Sequence, residues 1–351
     1  MRNYSSSKTI KTIKTIGIDL AKSVFHLHGV DGEGKVVLRK RLSRSKLAEF
    51  MVQLTPCLVA MEACGGSHYW ARKFQTMGHD VRLISPQFVK PYVKSNKNDA
   101  ADAEAICEAV QRPNMRFVPL KSIEQQDILS IHRAREQVVR RRTAQGNQIR
   151  GLLMEYGLVI PKGMRVLHAQ LPGILADADN ELTLMFRELL QGLWKELINL
   201  EKHVDIYDQQ IKVLSEQSES CKRLMTIPGV GPMVATALVA SVSDGKAFKN
   251  GREMAAWLGL VARQHSTGGK PRLLGISKRG DVYLRKLLIH GARSALRWAD
   301  KKHDKRSMWA SSLKERRGQN IAAVALANKI VRTAWVLITR GENYRASALT
   351  V

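Results

Sequence analysis

Four carboxylates have side chains and spacing that could hold a divalent metal ion: Asp19 in IGIDLAKSVF, Glu62 in LVAMEACGG, and Asp99 with Asp102 in KNDAADAEAI. Asp19 and Glu62 each follow a short apolar run typical of a buried strand. Asp99 and Asp102 are three residues apart in a helix-forming stretch, so both project from one face. Converging acids repel one another unless a cation lies between them, and Mg²⁺ prefers hard oxygen ligands. The four acids therefore predict metal-assisted phosphodiester chemistry.

The chain carries a large excess of positive charge, with 57 Lys and Arg against 31 Asp and Glu and a net charge of +26. This exceeds what solubility requires and indicates a polyanionic partner. We expect no membrane partner, because no apolar stretch reaches about 18 residues and no basic amphipathic anchor is evident. The N-terminal segment lacks the apolar region of a secretory signal, which predicts a cytoplasmic protein. The four cysteines are too widely spaced for a metal pair or a disulfide framework.

A chain of 351 residues exceeds the usual size of a single core, and its pattern suggests three segments, 1–121, 122–217 and 218–351. The first alternates strands and helices. The predicted strands are 15–20, 24–31, 34–40, 57–62, 80–84 and 115–119, and the predicted helices are 44–54, 67–77 and 99–111. A three-stranded meander followed by β-α-β units gives a mixed α/β sheet with the acids at strand ends and on a flanking helix. This is the element order of a ribonuclease-H-like fold.

The middle segment changes to long helices. Ser122 and Gln125 fit a capping box, and a helix could run from there to Gly157. Its arginines suit a phosphate backbone, with a solvated charged face as the alternative; they are Arg133, Arg135, Arg140, Arg141, Arg142 and Arg150. A second helix over 181–215 has apolar residues at spacings of three and four, which predicts a coiled-coil seam and an arm of roughly 50 Å. An intramolecular hairpin with the first helix is the competing arrangement.

The last segment, 218–351, is predicted to be helical. Its IPGVG sequence over 227–231 resembles a helix-hairpin-helix module, in which the amides of Gly229 and Gly231 would face a phosphate. An ordinary Gly-Pro turn between core helices is the alternative. The stretch 319–339 is apolar on most faces and predicts a core helix.

Residues 263–286 form a basic, glycine-rich segment, RQHSTGGKPRLLGISKRGDVYLRK, with seven Lys or Arg and one acid. Its glycines make it loop-like, and Ser266 precedes a Gly pair. An accessible serine among positive charges could act as a nucleophile, although such serines more often bond phosphate. The cations expected to contact nucleic acid are Arg263, Lys270, Arg272, Lys278 and Arg279.

Together these motifs resemble the insertion-sequence-110 family of transposases, described as bridge-RNA-guided DNA recombinases. GIDLAKSVFHLH, AMEACGGSHYWA and NKNDAADAEAI resemble the acid motifs of that family's RuvC-like domain, and the middle segment resembles its coiled-coil insert. TIPGVGPMVATAL, AAWLGLVARQHSTGGK and GISKRGDVYLRKLL resemble its second transposase domain and follow one another in family order.

The resemblance implies Asp19, Glu62, Asp99 and Asp102 as ligands of Mg²⁺, or of Mn²⁺, and Ser266 as the nucleophile. The family pattern of two serines before Gly-Gly is Ser-Thr here, so Thr267 is a second candidate and Ser277 a third. Serine attack would leave a phosphoserine-DNA link that a 3′-hydroxyl later reverses without ATP. The implied partners are donor and target DNA, a structured noncoding guide RNA, and further copies of the chain, as a dimer or tetramer joined by the coiled coil. The implied location is the bacterial cytoplasm, in association with the nucleoid.

Three other interpretations use parts of the same pattern. A RuvC-like junction-resolving nuclease would use the four acids with water as the nucleophile and would not need Ser266. An actin-like ATPase or sugar kinase also opens with a strand that ends in Asp before a hairpin. Its phosphate loops normally need a second Asp-Gly-rich turn, and this sequence has no clear match to one. In a non-enzymatic nucleic-acid-binding protein the acids would only cap helices. Of the histidines, His26 and His28 alternate along a strand and face one side of it, and His68 could approach the metal.

Overall fold

The computed structural model describes residues 12–93 and 98–345 of the chain. It divides into two compact units, with the boundary between Ser122 and Ile123. The second unit contains both the predicted long helices and the predicted C-terminal segment. The three-segment division, with its further boundary after residue 217, stays a prediction.

The first unit is built on a six-stranded mixed sheet of order β3-β2-β1-β4-β5-β6. The strands are β1 (Thr15–Leu20), β2 (Val24–Val30), β3 (Val36–Ser43), β4 (Leu58–Glu62), β5 (Asp80–Ile84) and β6 (Phe117–Val118). The helices are α1 (Arg44–Val52), α2 (Ser67–Thr76), α3 (Pro86–Val89) and α4 (Asp99–Val110), with a 3₁₀ turn over Lys90–Tyr92. Strand β4 runs parallel to β1 and β5, and the other pairs are antiparallel. The predicted α/β class with a mixed sheet is confirmed.

The two faces of this sheet are covered by different helices. Ile16 and Ile18 of β1 pack in one core with residues of α1 and α2. Ala60 of β4 packs on the opposite side with Ile106 and other residues of α4. Because successive side chains of a strand alternate between faces, Asp19 lies on the side of α4.

Gly17 allows α4 to lie directly on β1. A Cβ atom at this position would be 2.3 Å from the carbonyl oxygen of Ala103 and 2.6 Å from the amide nitrogen of Cys107. Such distances are well inside van der Waals contact, so only glycine leaves room for the helix backbone. The close approach brings the first turn of α4 toward the end of β1.

The second unit is mainly helical. Its helices are α5 (Ile123–Met154), α6 (Met164–Ala176), α7 (Leu184–Gln217), α8 (Glu219–Met225), α9 (Pro232–Val242), α10 (Gly251–Trp257), α11 (Val282–Arg297), α12 (Lys305–Arg317) and α13 (Gln319–Arg340), with a 3₁₀ turn over Ala299–Lys301. A two-stranded sheet, β7 (Ala262–Gln264) with β8 (Leu273–Ile276), lies between α10 and α11 in the chain.

The apolar seam of α7 packs against α5 of the same chain. Val138 of α5 clusters with Leu200 and Val204, and further along Ile149 clusters with Leu197. The intramolecular hairpin, which the sequence left open as the competing arrangement, is therefore the packing present in the described residues.

Helix α13 lies in the core of the second unit, as the sequence predicts. It packs against α10, α11 and α12 and buries eight residues, among them Leu326, Ile330 and Leu337. By length and composition alone α13 could also cross a membrane, which differs from the expectation that no stretch is apolar enough. Its place in the core accounts for its composition.

Candidate metal centre and nucleophile

Asp19 and Glu62 end two neighbouring parallel strands. The last registered pair of β1 and β4 is Ile18 with Met61, so these acids are the next position on each strand. Both are half-buried, and the alternation that sends Ala60 toward α4 sends Glu62 to the same side. The structure therefore brings the first two predicted acids to one edge of the sheet.

The pKa of the Cys64 thiol depends on the negative charge at this edge of the sheet. Cys64 follows β4 in the CGG turn, and its pKa is raised above the usual range by burial and by the negative charges of Glu62 and Asp19. Two carboxylates that both act on one thiol provide the local negative potential to which a cation would bind.

His26 joins the acids from the next strand. In the antiparallel ladder of β1 and β2, Asp19 lies directly opposite His26. Asp99 is the first residue of α4, and its Oδ2 atom is 3.5 Å from Nδ1 of His26. Asp19, His26 and Asp99 each offer a ligand atom within 4.8 Å of the others. The sequence predicts only that His26 lies on one face of a strand. The feature that places it at the site is its position opposite Asp19 across a tight hairpin.

Asp102 lies one turn further along α4 and is half-buried. The side chain of Asn98 caps the helix by accepting a hydrogen bond from the Ala101 amide at 2.8 Å. Asp99 and Asp102 both lie in the first turn, where negative charge is favoured by the helix dipole. Within the described part of the chain, the group of three potential ligands does not include Asp102 or Glu62, so the four predicted acids share one region of the fold but not one ligand cluster.

Further charged side chains lie on the same strands and helix as the cluster. His28 is buried, and its Nδ1 atom lies 3.9 Å from Glu104 of α4, which also faces Arg39 of β3 at 3.7 Å. A groove of about 440 Å³ runs past His26, Glu104, Arg39 and Arg41. Acids beside exposed arginines suit a phosphate group that approaches a bound cation.

His68 is directed to a different contact. The Lys121 amide donates to its Nδ1 atom at 3.3 Å, and the Lys121 ammonium lies 3.1 Å from Nε2. The structure therefore does not place His68 in the ligand cluster, although the sequence left that possibility open.

The residues of the cluster fit a divalent cation. Carboxylates are the ligands that Mg²⁺ and Mn²⁺ prefer, and an imidazole is an acceptable further ligand for a transition metal. Asp19, Asp99 and His26 would hold the ion, and Glu62 lies at the same sheet edge.

Ser266 lies on a β-hairpin, whereas the sequence suggested a loop. Beyond β7 and β8 the pairing continues through a hydrogen bond from the His265 amide to the Arg272 carbonyl at 2.9 Å and a bridge between Thr267 and Lys270. Gly268 and Gly269 form the tip, with φ angles of 56° and 73° that favour glycine. The strands are very short, and all of their residues except Ile276 are exposed, which explains why the residue pattern gave little strand signal.

The Ser266 hydroxyl is exposed and is oriented by a neighbour. The side-chain amide of Gln264 donates a hydrogen bond to Ser266 Oγ at 2.9 Å. An amide N–H cannot remove the hydroxyl proton, so this contact positions the oxygen without activating it. The predicted cations Arg263, Lys270, Arg272, Lys278 and Arg279 are all exposed around this hairpin.

The base of the hairpin is anchored in the core. Arg285 of α11 is buried and donates to the carbonyls of Leu258 at 3.0 Å and Arg279 at 2.8 Å. Ser277 is half-buried at this base, where its amide donates to the Val261 carbonyl at 2.8 Å. The geometry makes Ser266 and Thr267 more accessible to a large substrate than Ser277.

The arginines of α5 do not form one uniform row. Arg133, Arg140 and Arg141 are exposed, whereas Arg142 is half-buried. Arg135 pairs with Asp208 of α7, so it joins the two long helices. Arg140 pairs with Glu136 at 3.2 Å, and the exposed Arg133 and Arg141 are available for phosphate contacts.

The two glycines of the IPGVG turn differ in role. Gly229 has a φ of 94°, and a Cβ atom there would be 2.6 Å from the Gly291 carbonyl oxygen of α11. Gly229 is thus required by packing, whereas Gly231 precedes α9 with open space beside it. Helices α8 and α9 flank this turn, and the helix-hairpin-helix module and its phosphate contact stay predictions.

A mixed sheet with acids at its strand ends and on the covering helix is consistent with a DEDD-type transposase domain. A family model for IS110-type DEDD enzymes, described as "Transposase", matches residues 16–158, and the model of the Transposase IS116/IS110/IS902 family matches residues 221–307. The chain belongs to the IS110 family of transposases. The predicted family resemblance is confirmed.

Several curated transposases match this chain over nearly their whole length. A probable family 20 transposase of Pseudomonas aeruginosa is 52% identical over 334 residues, which cover 95% of this chain and 99% of the relative. The transposase for insertion sequence element IS1111A of Coxiella burnetii is 48% identical, with 97% and 94% covered. The transposase for insertion sequence element IS1328 of Yersinia enterocolitica is 42% identical, with 94% and 98% covered.

Proposed function

We propose that this transposase is a recombinase of a mobile insertion sequence that cuts and rejoins DNA strands with Ser266 as the nucleophile. The observation that carries the proposal is that Asp19, Asp99 and His26 lie close together at one edge of the sheet. Strand β4 ends with Glu62 at the same edge. Membership of a transposase family supports DNA as the substrate. The exposed, cation-rich hairpin that presents Ser266 supports its role in the reaction.

The proposed reaction is a pair of transesterifications. In the first, Ser266 Oγ forms a bond to the scissile phosphorus while the bond to the 3′ oxygen breaks, and the 3′-hydroxyl leaves with the proton. In the second, a 3′-hydroxyl of the exchanged strand attacks the phosphoserine, and Ser266 regains its proton. One phosphoester bond replaces another in each step, so no ATP is required.

The chain's own groups each have a part in this scheme. Gln264 holds Ser266 Oγ in place, and the exposed cations of the hairpin bind the DNA backbone. Asp19 and Asp99, with Glu62 and Asp102 in the same region of the fold, would provide the carboxylates for Mg²⁺ or Mn²⁺. When bound, the cation supplies Lewis-acid polarisation of the phosphate and a lower pKa for the hydroxyl nucleophile.

We further propose that a structured noncoding RNA selects the donor and target DNA. The exposed arginines of α5 and the low aromatic content of 6% support recognition of backbone and shape rather than base stacking. The chain would act as a dimer or tetramer in the bacterial cytoplasm, near the nucleoid. Because the seam of α7 packs against α5, the exposed Leu184, Met185, Leu189 and Ile206 of α7 are the surface proposed for subunit pairing.

The nucleophile is tested by trapping the protein-DNA link. Wild-type protein and the variants Ser266→Ala, Thr267→Val and Ser277→Ala are incubated with the element's junction DNA and its flanking noncoding RNA, and covalent adducts are resolved on denaturing gels. We expect Ser266→Ala alone to abolish the adduct while retaining DNA binding. Cleavage by Ser266→Ala at the wild-type rate would instead support the RuvC-like nuclease that uses water.

The RNA partner is tested separately. The protein is purified from cells that carry it with its native flanking DNA, and RNA that survives a high-salt wash is sequenced. One defined, structured RNA from the flanking noncoding DNA is the expected result. Recovery of only ribosomal and transfer RNA, or of none, would contradict RNA guidance.

A further inference from the structure

We propose that His26 is itself a ligand of the metal ion and that its imidazole shifts the site's preference from Mg²⁺ toward transition metals such as Mn²⁺. The inference rests on the proposed function in one respect, that the neighbouring carboxylates hold a divalent cation. The acid motifs supply only oxygen ligands, and His26 would add one nitrogen ligand to the same site.

The backbone fixes where His26 can reach. His26 and Asp19 form a directly opposite pair in the ladder of β1 and β2, and Cβ atoms of such pairs lie about 4.5–5.5 Å apart on one face of the sheet. Asp99 begins α4, which packs tightly on β1 at Gly17. Three donors therefore project from three packed elements into one space.

The distances suit a single ion. Adjacent ligands of an octahedral Mg²⁺ or Mn²⁺, each about 2.1 Å from the metal, lie about 3 Å apart. The separation of 3.5 Å between His26 Nδ1 and Asp99 Oδ2 is close to this value, and the three potential ligand atoms all lie within 4.8 Å of one another.

His28 provides the internal comparison. It projects from the same strand face two residues away, but it is buried and directed at Glu104. His26 is half-buried, and both histidines line the groove of about 440 Å³. The two histidines of the HLH sequence thus have different surroundings, and only His26 lies beside the predicted metal ligands.

The identity of the ligand has a consequence for metal choice. Nitrogen ligands bind first-row transition ions more tightly than they bind Mg²⁺, which prefers oxygen. Replacement of the imidazole by an amide should therefore weaken Mn²⁺ binding by roughly tenfold. It should change Mg²⁺ binding by less than about threefold, because an amide oxygen remains a suitable hard ligand.

The direct test is pulsed electron paramagnetic resonance of Mn²⁺ bound to the full-length chain, prepared with ¹⁴N-histidine or ¹⁵N-histidine. Nitrogen coupling from a coordinated imidazole should be present in wild type, change with the isotope, and disappear in His26→Gln. His68→Gln is the matched control and should retain the coupling, since His68 contacts Lys121 instead. Titration of Mn²⁺, alone and in competition with Mg²⁺, gives the two affinities, and circular dichroism checks that each variant is folded.

The outcomes separate this inference from the proposed function. Loss of nitrogen coupling in His26→Gln, with the Mn²⁺ to Mg²⁺ affinity ratio reduced roughly tenfold, supports His26 as a ligand. Mn²⁺ that binds to wild type, is lost in Asp19→Asn, and shows no nitrogen coupling would overturn the inference and leave the carboxylate site intact. Mn²⁺ binding that is unchanged in Asp19→Asn would contradict the metal site itself.

Discussion

His132 of α5 is fully buried between α9 and α11 and makes two side-chain contacts there. Its Nε2 atom is 2.9 Å from Thr236 Oγ1, and its Nδ1 atom is 2.9 Å from the Tyr283 hydroxyl. Thr236 already donates to the Pro232 carbonyl at 2.7 Å, so it accepts from Nε2–H, and Nδ1 accepts from Tyr283. This arrangement requires a neutral imidazole. Burial, with the nearby Arg135 charge, lowers the pKa of His132 to about 4.

The free energy of unfolding should therefore depend on pH through His132. Since the folded pKa lies below the unfolded value of 6.5, this contribution is complete above pH 6.5 and is lost as the pH falls toward 4. Between pH 7 and pH 5 the loss should be about 2 kcal/mol. Urea denaturation at both pH values measures it.

His132→Gln is the control for this pH effect. The variant should be less stable at pH 7, because its hydrogen bonds are altered, but it should lose less stability between pH 7 and pH 5. An equal loss in wild type and variant would show that other groups cause the pH dependence.

At the scale of the elements, the position of α4 on β1 decides whether Asp99 reaches Asp19. A methyl group at Gly17 would meet the Ala103 carbonyl oxygen at 2.3 Å, so Gly17→Ala must push the helix away. We expect the free energy of unfolding to fall by about 2–3 kcal/mol and Mn²⁺ affinity to fall with it. Thermal denaturation and metal titration measure the two effects.

Gly32→Ala is the matched substitution, because its nearest neighbouring atom would be 3.9 Å away. It should leave both quantities near their wild-type values. If Gly17→Ala also left metal affinity unchanged, the close packing of α4 on β1 would not be required to bring Asp99 to Asp19 and His26.

Much of the first unit could be predicted because its signals are local. Apolar runs such as those of β1 and β4 indicate elements whose observed bounds lie within a few residues of the predicted ones. Because β1 and β4 are neighbouring parallel strands, their ends bring Asp19 and Glu62 to one edge of the sheet. His26 needed the register of β1 against β2, which an apolar pattern alone does not specify.

Two other features of the second unit were not determined by local pattern. The α7 seam has the same spacing whether its partner is α5 or another chain, so tertiary packing decided between them. The hairpin of Ser266 has strands of three and four residues, all exposed except Ile276, and such strands show no alternation to detect. The roles of Ser266 and of the four acids remain proposals that the experiments above address.

At the scale of the whole molecule, the net charge of +26 should make nucleic-acid binding depend strongly on salt. With roughly 6 to 10 phosphate contacts, affinity for duplex DNA should fall by about 10³ to 10⁵ between 50 and 200 mM salt. Fluorescence anisotropy over a salt series gives the slope.

The exposed arginines of α5 provide the control for the salt dependence. Replacing Arg133, Arg140 and Arg141 by Gln should reduce the slope by about 0.9 for each phosphate contact that is lost. Replacing Arg135, which pairs with Asp208, should instead reduce stability. A slope unchanged in the triple variant would remove α5 from the nucleic-acid surface.

The most direct test of the central claim measures strand cleavage by Asp19→Asn and Asp99→Asn under conditions in which DNA remains bound. Asp80→Asn, an exposed acid at the opposite end of the sheet, is the control. If these acids hold the catalytic cation, cleavage should fall at least about a hundredfold in the first two variants and remain unchanged in the third. Cleavage at the wild-type rate by Asp19→Asn and Asp99→Asn would contradict the account.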